Sequence, residues 1–186
     1  MTDTRSQGNF AVSNVRFEAL SGDTAWPLVA PLLEEVWPPE VMATLTWRDV
    51  TFAHADSRIV GFDATGNVVC HVGIYRRSMR WNSTPVEVGG IGAVCTSSAY
   101  RRQGAASAAL RLATHIFRDE NYDFGLLFCD PDKFAYYASV GWRRFAGTVT
   151  MDQSAGRTTM ATMTPFVFPL SVAADSGTLD LCGLPW

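Results

Sequence analysis

The sequence predicts an α+β (α/β layered) domain: a mixed central β-sheet flanked by helices. Three observations carry that expectation. Residues 58–75 and 86–96 are β-rich and are separated by hairpin-type turns. Residues 101–120 repeat apolar side chains at helical spacing. Residues 124–129 form a short, continuously apolar run, which suits a central parallel strand. Antiparallel hairpins followed by strand, helix, strand, helix and strand exclude an all-parallel doubly wound sheet.

In chain order, residues 10–20 alternate loosely and read as a first strand. Residues 21–23 offer caps for a helix over 24–36, with Leu28, Val29, Leu32, Leu33 and Val36 on its apolar face. Trp37-Pro38-Pro39 stops it, since proline cannot continue the hydrogen-bond ladder. Residues 40–54 read as a short helix and a loop holding Trp47. Residues 58–63, the turn Ala64-Thr65-Gly66-Asn67 and residues 68–75 form a hairpin. Another turn at 81–85 leads into a long, glycine-rich strand over 86–96. The helix over 101–120 buries Ala106, Ala109, Leu110, Ala113, Ile116 and Phe117. Asp130-Pro131-Asp132 is a turn and cap, residues 133–139 are a short helix, and Gly141 closes it. Residues 142–150 and 159–170 read as strands, and the tail 171–186 has little regular pattern.

The chain has 186 residues, 47% hydrophobic and 12% aromatic, which suits one domain spanning 1–186. Charged residues are 18% without a long run, which argues against disorder. A net charge of -3 argues against nucleic-acid partners, which call for a basic patch. Cys70, Cys95, Cys129 and Cys182 form no C-x-x-C pair. They read as free thiols in a reducing compartment, and no metal is expected. Residues 1–10 are polar, and no stretch approaches the roughly 20 apolar residues that cross a bilayer. The expected location is the cytoplasm, with no membrane partner.

The chemistry concentrates where the strand ending Val94-Cys95-Thr96 turns into Arg101-Arg102-Gln103-Gly104-Ala105-Ala106. Small residues let a ligand approach the backbone. Free N–H groups at a helix start, with the positive end of its dipole, suit a pyrophosphate. Arg101 and Arg102 add charge-assisted hydrogen bonds. The hexapeptide resembles the signature of the GNAT acetyltransferases, [R/Q]-x-x-G-x-[G/A]. Downstream, Phe134-Ala135-Tyr136-Tyr137-Ala138-Ser139-Val140-Gly141-Trp142 is similar to that family's second signature.

The resemblance implies the GNAT fold and direct acetyl transfer from acetyl-CoA to a primary amine. It implies that Val94, Cys95 and Thr96 splay from their parallel neighbour and bind pantetheine like an added strand, with 101–106 on the pyrophosphate. The Cys95 backbone amide would hold the thioester oxygen, and Tyr137 would protonate the departing thiolate. The family's glutamate position falls at Gly92, so the base stays unassigned. Glu87 reads as an exposed strand charge, His71 as a structural histidine and Asp130 as a turn or cap residue.

Residues 58–63, Gly66 and 71–77, with Phe168-Pro169-Leu170, residues 177–180 and the final Trp186, are similar to aminoglycoside 2'-N-acetyltransferases and to the rhizobial nodulation acyltransferase NodA. That likeness makes the carboxylate of Trp186 and Asp180 acceptor-site candidates, with the tail 171–186 packing near the acceptor, and the acceptor pocket usual in the GNAT fold, built here from about 37–47 and the C-terminal third, adds Trp47. The expected partner is a small-molecule amine, aminoglycoside-like among the options, and a homodimer is an open assembly. Two alternatives are a NodA-like longer-chain acyltransferase on an amino sugar and a non-catalytic acyl-CoA sensor. Acyl-chain preference and amine turnover separate the three.

Overall fold

A computed structural model describes residues 14–186. The expected strand over 10–20 therefore lies partly outside the described residues, as does the polar segment 1–10. In chain order the elements are β1 (Arg16–Ser21), α1 (Gly22–Val36), α2 (Pro39–Met42), β2 (Ser57–Phe62), β3 (Val68–Trp81) and β4 (Thr84–Thr96). They continue with α3 (Ala105–Asp119), β5 (Phe124–Cys129), α4 (Phe134–Ser139), β6 (Arg143–Arg144), β7 (Ala146–Gln153), β8 (Gly156–Thr159), β9 (Thr164–Pro169) and β10 (Ser176–Asp180). No described helix is long and apolar enough to cross a membrane.

Local chemistry accounts for the boundaries. The Ser21 side chain accepts from the Thr24 amide and caps α1. Asn82 and Ser83 both have positive φ, which closes β3 onto β4 through a tight hairpin matched to strand twist. Gly141, at φ 91°, ends α4, and its amide donates to the Ala138 carbonyl at 3.1 Å.

The described strands form one ten-stranded sheet in the order β6-β9-β5-β4-β3-β10-β7-β8, with β2 also on β3 and β1 on β2. Only β4–β5 and β7–β10 run parallel; the other pairs are antiparallel. The long strand β3 is the branch point. Its first half lies beside β2, and its last residues, Arg80 and Trp81, lie beside β10.

Alternation along β4 divides the core into two faces. Ile91 faces Ala109, Ala113, Phe117 and Leu127 beneath α3. Val86 and Val88 face Phe124, Leu126, Val149 and Leu179, where the sheet curls over itself. Between them, Gly89 and Gly90 admit a ring from each side. A Cβ at Gly89 would sit 2.4 Å from Phe117, and one at Gly90 2.4 Å from the Trp186 indole. Each such buried ring stabilises the fold by about 1.5–3 kcal/mol.

Several expectations are corrected. The helix expected over 101–120 starts at Ala105, because Arg102 and Gly104 both take positive φ. Leu28 is 45% exposed, and α1 instead buries Ala25, Val29 and Leu32. The late region has four strands, because Ser154-Ala155 turn the chain back and make a β7–β8 hairpin. The tail contains β10, which slots between β3 and β7. Its short pairing run supplied no periodicity to read.

One buried polar group ties these elements together. His71 on β3 is fully buried, and its Nε2 accepts from the Arg58 guanidinium at 3.0 Å. A guanidinium only donates, so the proton lies on Nδ1, which donates to the Ala93 carbonyl at 2.8 Å. Burial, reinforced by the Arg58 charge, lowers its pKa from 6.5 to about 4 against the opposing Ala93 bond. The imidazole is neutral in both folded and unfolded chains above that window. As pH falls through it, the unfolded chain takes the proton first, so stability drops. Urea unfolding should show wild type losing up to about 3 kcal/mol between pH 6.5 and 4 relative to His71→Asn. Parallel pH curves for the two proteins would contradict this.

Candidate active site

β4 and β5 pair from Val88↔Phe124 to Ile91↔Leu127 and no further. Beyond that point β5 keeps only β9, through Phe128↔Pro165 and Cys129↔Thr164. β4 keeps only β3, through Cys95↔His71 and Thr96↔Cys70. The edge of residues 92–96 that faces β5 is thus left without a strand. The splay expected at Val94 to Thr96 is present. A bulge at Ala93, φ 48°, lies where the strands separate.

The chain then makes a 3-10 turn at Ser98–Tyr100 and enters α3. The Glu35 carboxylate accepts from the Ser97 hydroxyl at 3.1 Å and the Ser98 amide at 3.3 Å, which anchors this turn to α1. Arg101 Nε donates to the Thr96 carbonyl at 3.2 Å, and Gln103 Nε2 donates to the Ala99 carbonyl at 2.9 Å. Both bonds tighten the loop. Gly104 sits at φ 85°, a left-handed position that a side chain would strain.

The first intrahelical bond of α3 runs from the Ala108 amide to the Gly104 carbonyl. The amides of Ala105, Ala106 and Ser107 precede it and have no helical partner. No acid lies in the first turn of α3, so nothing offsets the positive end of its dipole. Arg101 and Arg102 are exposed beside it.

Tyr137 reaches the same region from α4. It is buried in the cluster that holds Ile91, Ala105, Leu127 and Cys129, with Val94 and Ala106 packed against it. Burial, then its neighbours Cys129 and Tyr136, push the phenol pKa up, so the group keeps its proton. Tyr136 packs against the same cluster, and its hydroxyl meets Ser107 Oγ in the first turn of α3 at 3.3 Å. Burial likewise raises the thiols of Cys95, of Cys70 to about 11 and of Cys129 to about 12, so none is a ready thiolate nucleophile.

On the opposite face of β4, Gly90 and Gly92 look toward Trp186. A Cβ at Gly92 would lie 3.1 Å from the Trp186 main-chain carbonyl carbon and 3.3 Å from the Tyr75 hydroxyl. The Trp186 ring stacks on Tyr75 at 5.6 Å, and its Nε1 donates to the Leu126 carbonyl at 3.3 Å. Arg77 lies over the same indole and donates to the Leu184 carbonyl at 3.3 Å.

Trp47 is half-buried among Trp37 and Phe52, and its Nε1 donates to Asp130 Oδ2 at 3.3 Å. Asp130 directly follows β5, and its carboxylate reaches across to this loop instead of capping the next turn. Asp180 lies on β10, with its carboxylate bound to Arg157 and to the Cys182 amide. Glu87 is an exposed strand charge that accepts from Ser78 at 2.6 Å.

The fold thus places Val94, Cys95 and Thr96 at the end of β4 where β5 has left it and residues 101–106 in the turn that follows, with Tyr137 in the core cluster beneath α3 and Trp186 on the other face of β4. Asp180 serves the β7–β8 hairpin. Sequence reasoning missed Tyr75, Arg77 and the Trp47–Asp130 bond. Only the glycine pair at 90 and 92, on one face of a strand, signalled a large group above it. Among the described residues, no group of three or more His, Cys, Asp or Glu is arranged to hold a metal ion.

A model of the acetyltransferase (GNAT) domain matches residues 20–145. The aminoglycoside 2'-N-acetyltransferase of Mycolicibacterium fortuitum is 27% identical over 115 residues, 59% of this chain. The chain spans only 56% of that relative's length. Among solved structures, the Escherichia coli GNAT family N-acetyltransferase YhbS, in complex with CoA, superposes with a TM-score of 0.62 at 16% identity, covering 90% of this chain and 89% of that one. Escherichia coli ElaA gives a TM-score of 0.57 at 14% identity, covering 83% and 99%. These structures share the fold. With the family model spanning most of the sequence, from β1 to the start of β7, the chain belongs to the GNAT acetyltransferase family.

Proposed function

We propose that this enzyme transfers the acetyl group of acetyl-CoA to a primary amine of a small molecule, by direct attack within a ternary complex. One observation carries the reading. The bare edge of β4 and the open N-terminus of α3 flank one gap between parallel strands, and Tyr137, its phenol protonated, packs in the core cluster that also holds Ile91, Ala105 and Leu127. An edge strand accepts an extended amide chain such as pantetheine. The amides of residues 104–106, with Arg101 and Arg102, suit the pyrophosphate. The CoA complex of YhbS, which shares the fold, supports CoA as the donor's carrier.

In the reaction the amine nitrogen attacks the thioester carbon. The carbonyl oxygen gains negative charge, which the Val94 amide on the bare β4 edge stabilises; the expected Cys95 amide is turned by the register onto the His71 carbonyl of β3, and its thiol has no part. The C–S bond then breaks, and the thiolate takes the Tyr137 proton. The acceptor lies on the Gly92 face, walled by Trp186, Tyr75 and Trp47, with Asp130 to receive a cationic group. The Trp186 main-chain oxygen offers the incoming amine a hydrogen bond in place of a Gly92 side chain. The aminoglycoside 2'-N-acetyltransferase relative supports a polycationic amine, and a CoA-release screen over aminoglycosides, polyamines and amino acids tests it.

Two variants test the roles. Tyr137→Phe should lower kcat tenfold or more while CoA affinity stays within about twofold, because general-acid catalysis contributes about 100-fold or more. Unchanged turnover would take Tyr137 out of the role. Gly104→Glu should abolish acetyl-CoA binding in calorimetry, through strain at φ 85° and a like charge at the pyrophosphate. Wild-type affinity there would put the nucleotide elsewhere.

A further inference from the structure

Arg58 is 6% exposed and His71 is 0% exposed, yet Arg58 has no carboxylate in its immediate hydrogen-bonding shell. Its guanidinium donates to His71 Nε2 at 3.0 Å and to the Gly22 carbonyl at 3.3 Å, and it lies over the Trp26 ring at 5.1 Å. Burying a cation on such partners is costly, and a hydrophobic pair of similar volume would fill the space at lower cost. A purely packing role therefore leaves the arrangement unexplained.

The pair's hydrogen bonds end on the Ala93 carbonyl. Ala93 is not glycine, yet its φ is 48°. A left-handed residue of this kind is strained and persists only where its surroundings hold it. The β3–β4 register passes from His71↔Cys95 to Gly73↔Gly92, so the extra residue of the bulge sits opposite Val72. A bulge re-aims the residues next to it in the strand. Here the residue whose amide faces the edge that β5 has left is Val94, while the Cys95 amide pairs with His71 on β3.

We propose that His71, buttressed by Arg58, is a positioning residue for acyl transfer: its grip on the Ala93 carbonyl sets the direction in which the Val94 amide meets the thioester. This rests on the proposed function, which takes that amide as the donor to the thioester. The pair acts through the backbone and not on the reacting atoms. The pyrophosphate grip at Gly104 belongs to a separate segment, so loosening the bulge should harm turnover and spare CoA affinity.

The test compares two substitutions. His71→Asn keeps an amide donor near the Nδ1 position, and His71→Gln moves it to the Nε2 position and gives up Ala93. At saturating acetyl-CoA, kcat should fall at least tenfold in His71→Gln and return to within threefold of wild type in His71→Asn. The Kd for CoA should stay within threefold in both. Unchanged kcat in folded His71→Gln, or equal losses of kcat and CoA affinity in both variants, would overturn the proposal.

Should His71→Gln not fold, Arg58→Lys replaces it. There kcat should drop at least threefold with CoA affinity kept, and unchanged kcat would overturn the proposal. Should wild type bind CoA but acetylate no amine, amide exchange in the free protein decides. The Val94 amide should exchange at least tenfold faster in His71→Gln, or in Arg58→Lys in its place, than in His71→Asn. Faster exchange keeps the clamp and removes only the acyl-transfer reading, and equal rates remove the clamp.

Discussion

Two parallel strands, β4 and β5, hold together only as far as Ile91 and Leu127, and the site exists because they part there. β5 leaves to follow β9, while β4 stays with β3. The parting exposes peptide groups in the middle of a sheet, where bare backbone is expensive. An extended ligand with its own amides relieves that cost. The helix after β4 starts a few residues later, so its free amides and positive dipole end serve the same opening. The proposed grip on CoA thus depends on backbone more than on side chains.

The opposite face follows from glycine. With no side chain at 90 or 92, the Trp186 ring settles onto β4 and its main chain occupies the space beside Gly92. Arg77, Tyr75 and Phe128 hold the ring in place. The Ala53 amide donates to the Pro185 carbonyl at 2.7 Å, which ties the loop after α2 to the same segment. That face of β4 is therefore covered by three distant stretches of chain, around 47–53, 75–77 and 184–186.

The same division between local and distant contacts decides how much of the molecule is legible in the sequence. The β2–β3 hairpin, β5, the Gly141 cap and the turn before α3 rest on local chemistry, so Asn67, Gly104 and Gly141 mark them. Telling Tyr137 from Tyr136 depends on its spacing to Gly141, and the structure separates the two: Tyr136 bonds Ser107 while Tyr137 stays in the apolar cluster. The sequence places the start of α3 too early because Arg101 to Gln103 suit a helix by propensity, and only the positive φ at 102 and 104 denies it. β10 is invisible there because its partners, β3 and β7, lie far off in the chain. Asp130 reads correctly as a turn residue, but its bond to Trp47 spans the molecule and has no local signal.

The freed amides of β4 and of the α3 N-terminus should together hold acetyl-CoA. Amide hydrogen exchange followed residue by residue, with and without saturating CoA, reads both segments at once. Exchange should slow in two separate stretches, Val94 to Thr96 and Gln103 to Ser107, with the α3 groove at Arg111, Arg118 and Phe168 unchanged. Protection confined to that groove, with both stretches exchanging as in the free protein, would contradict the shared grip.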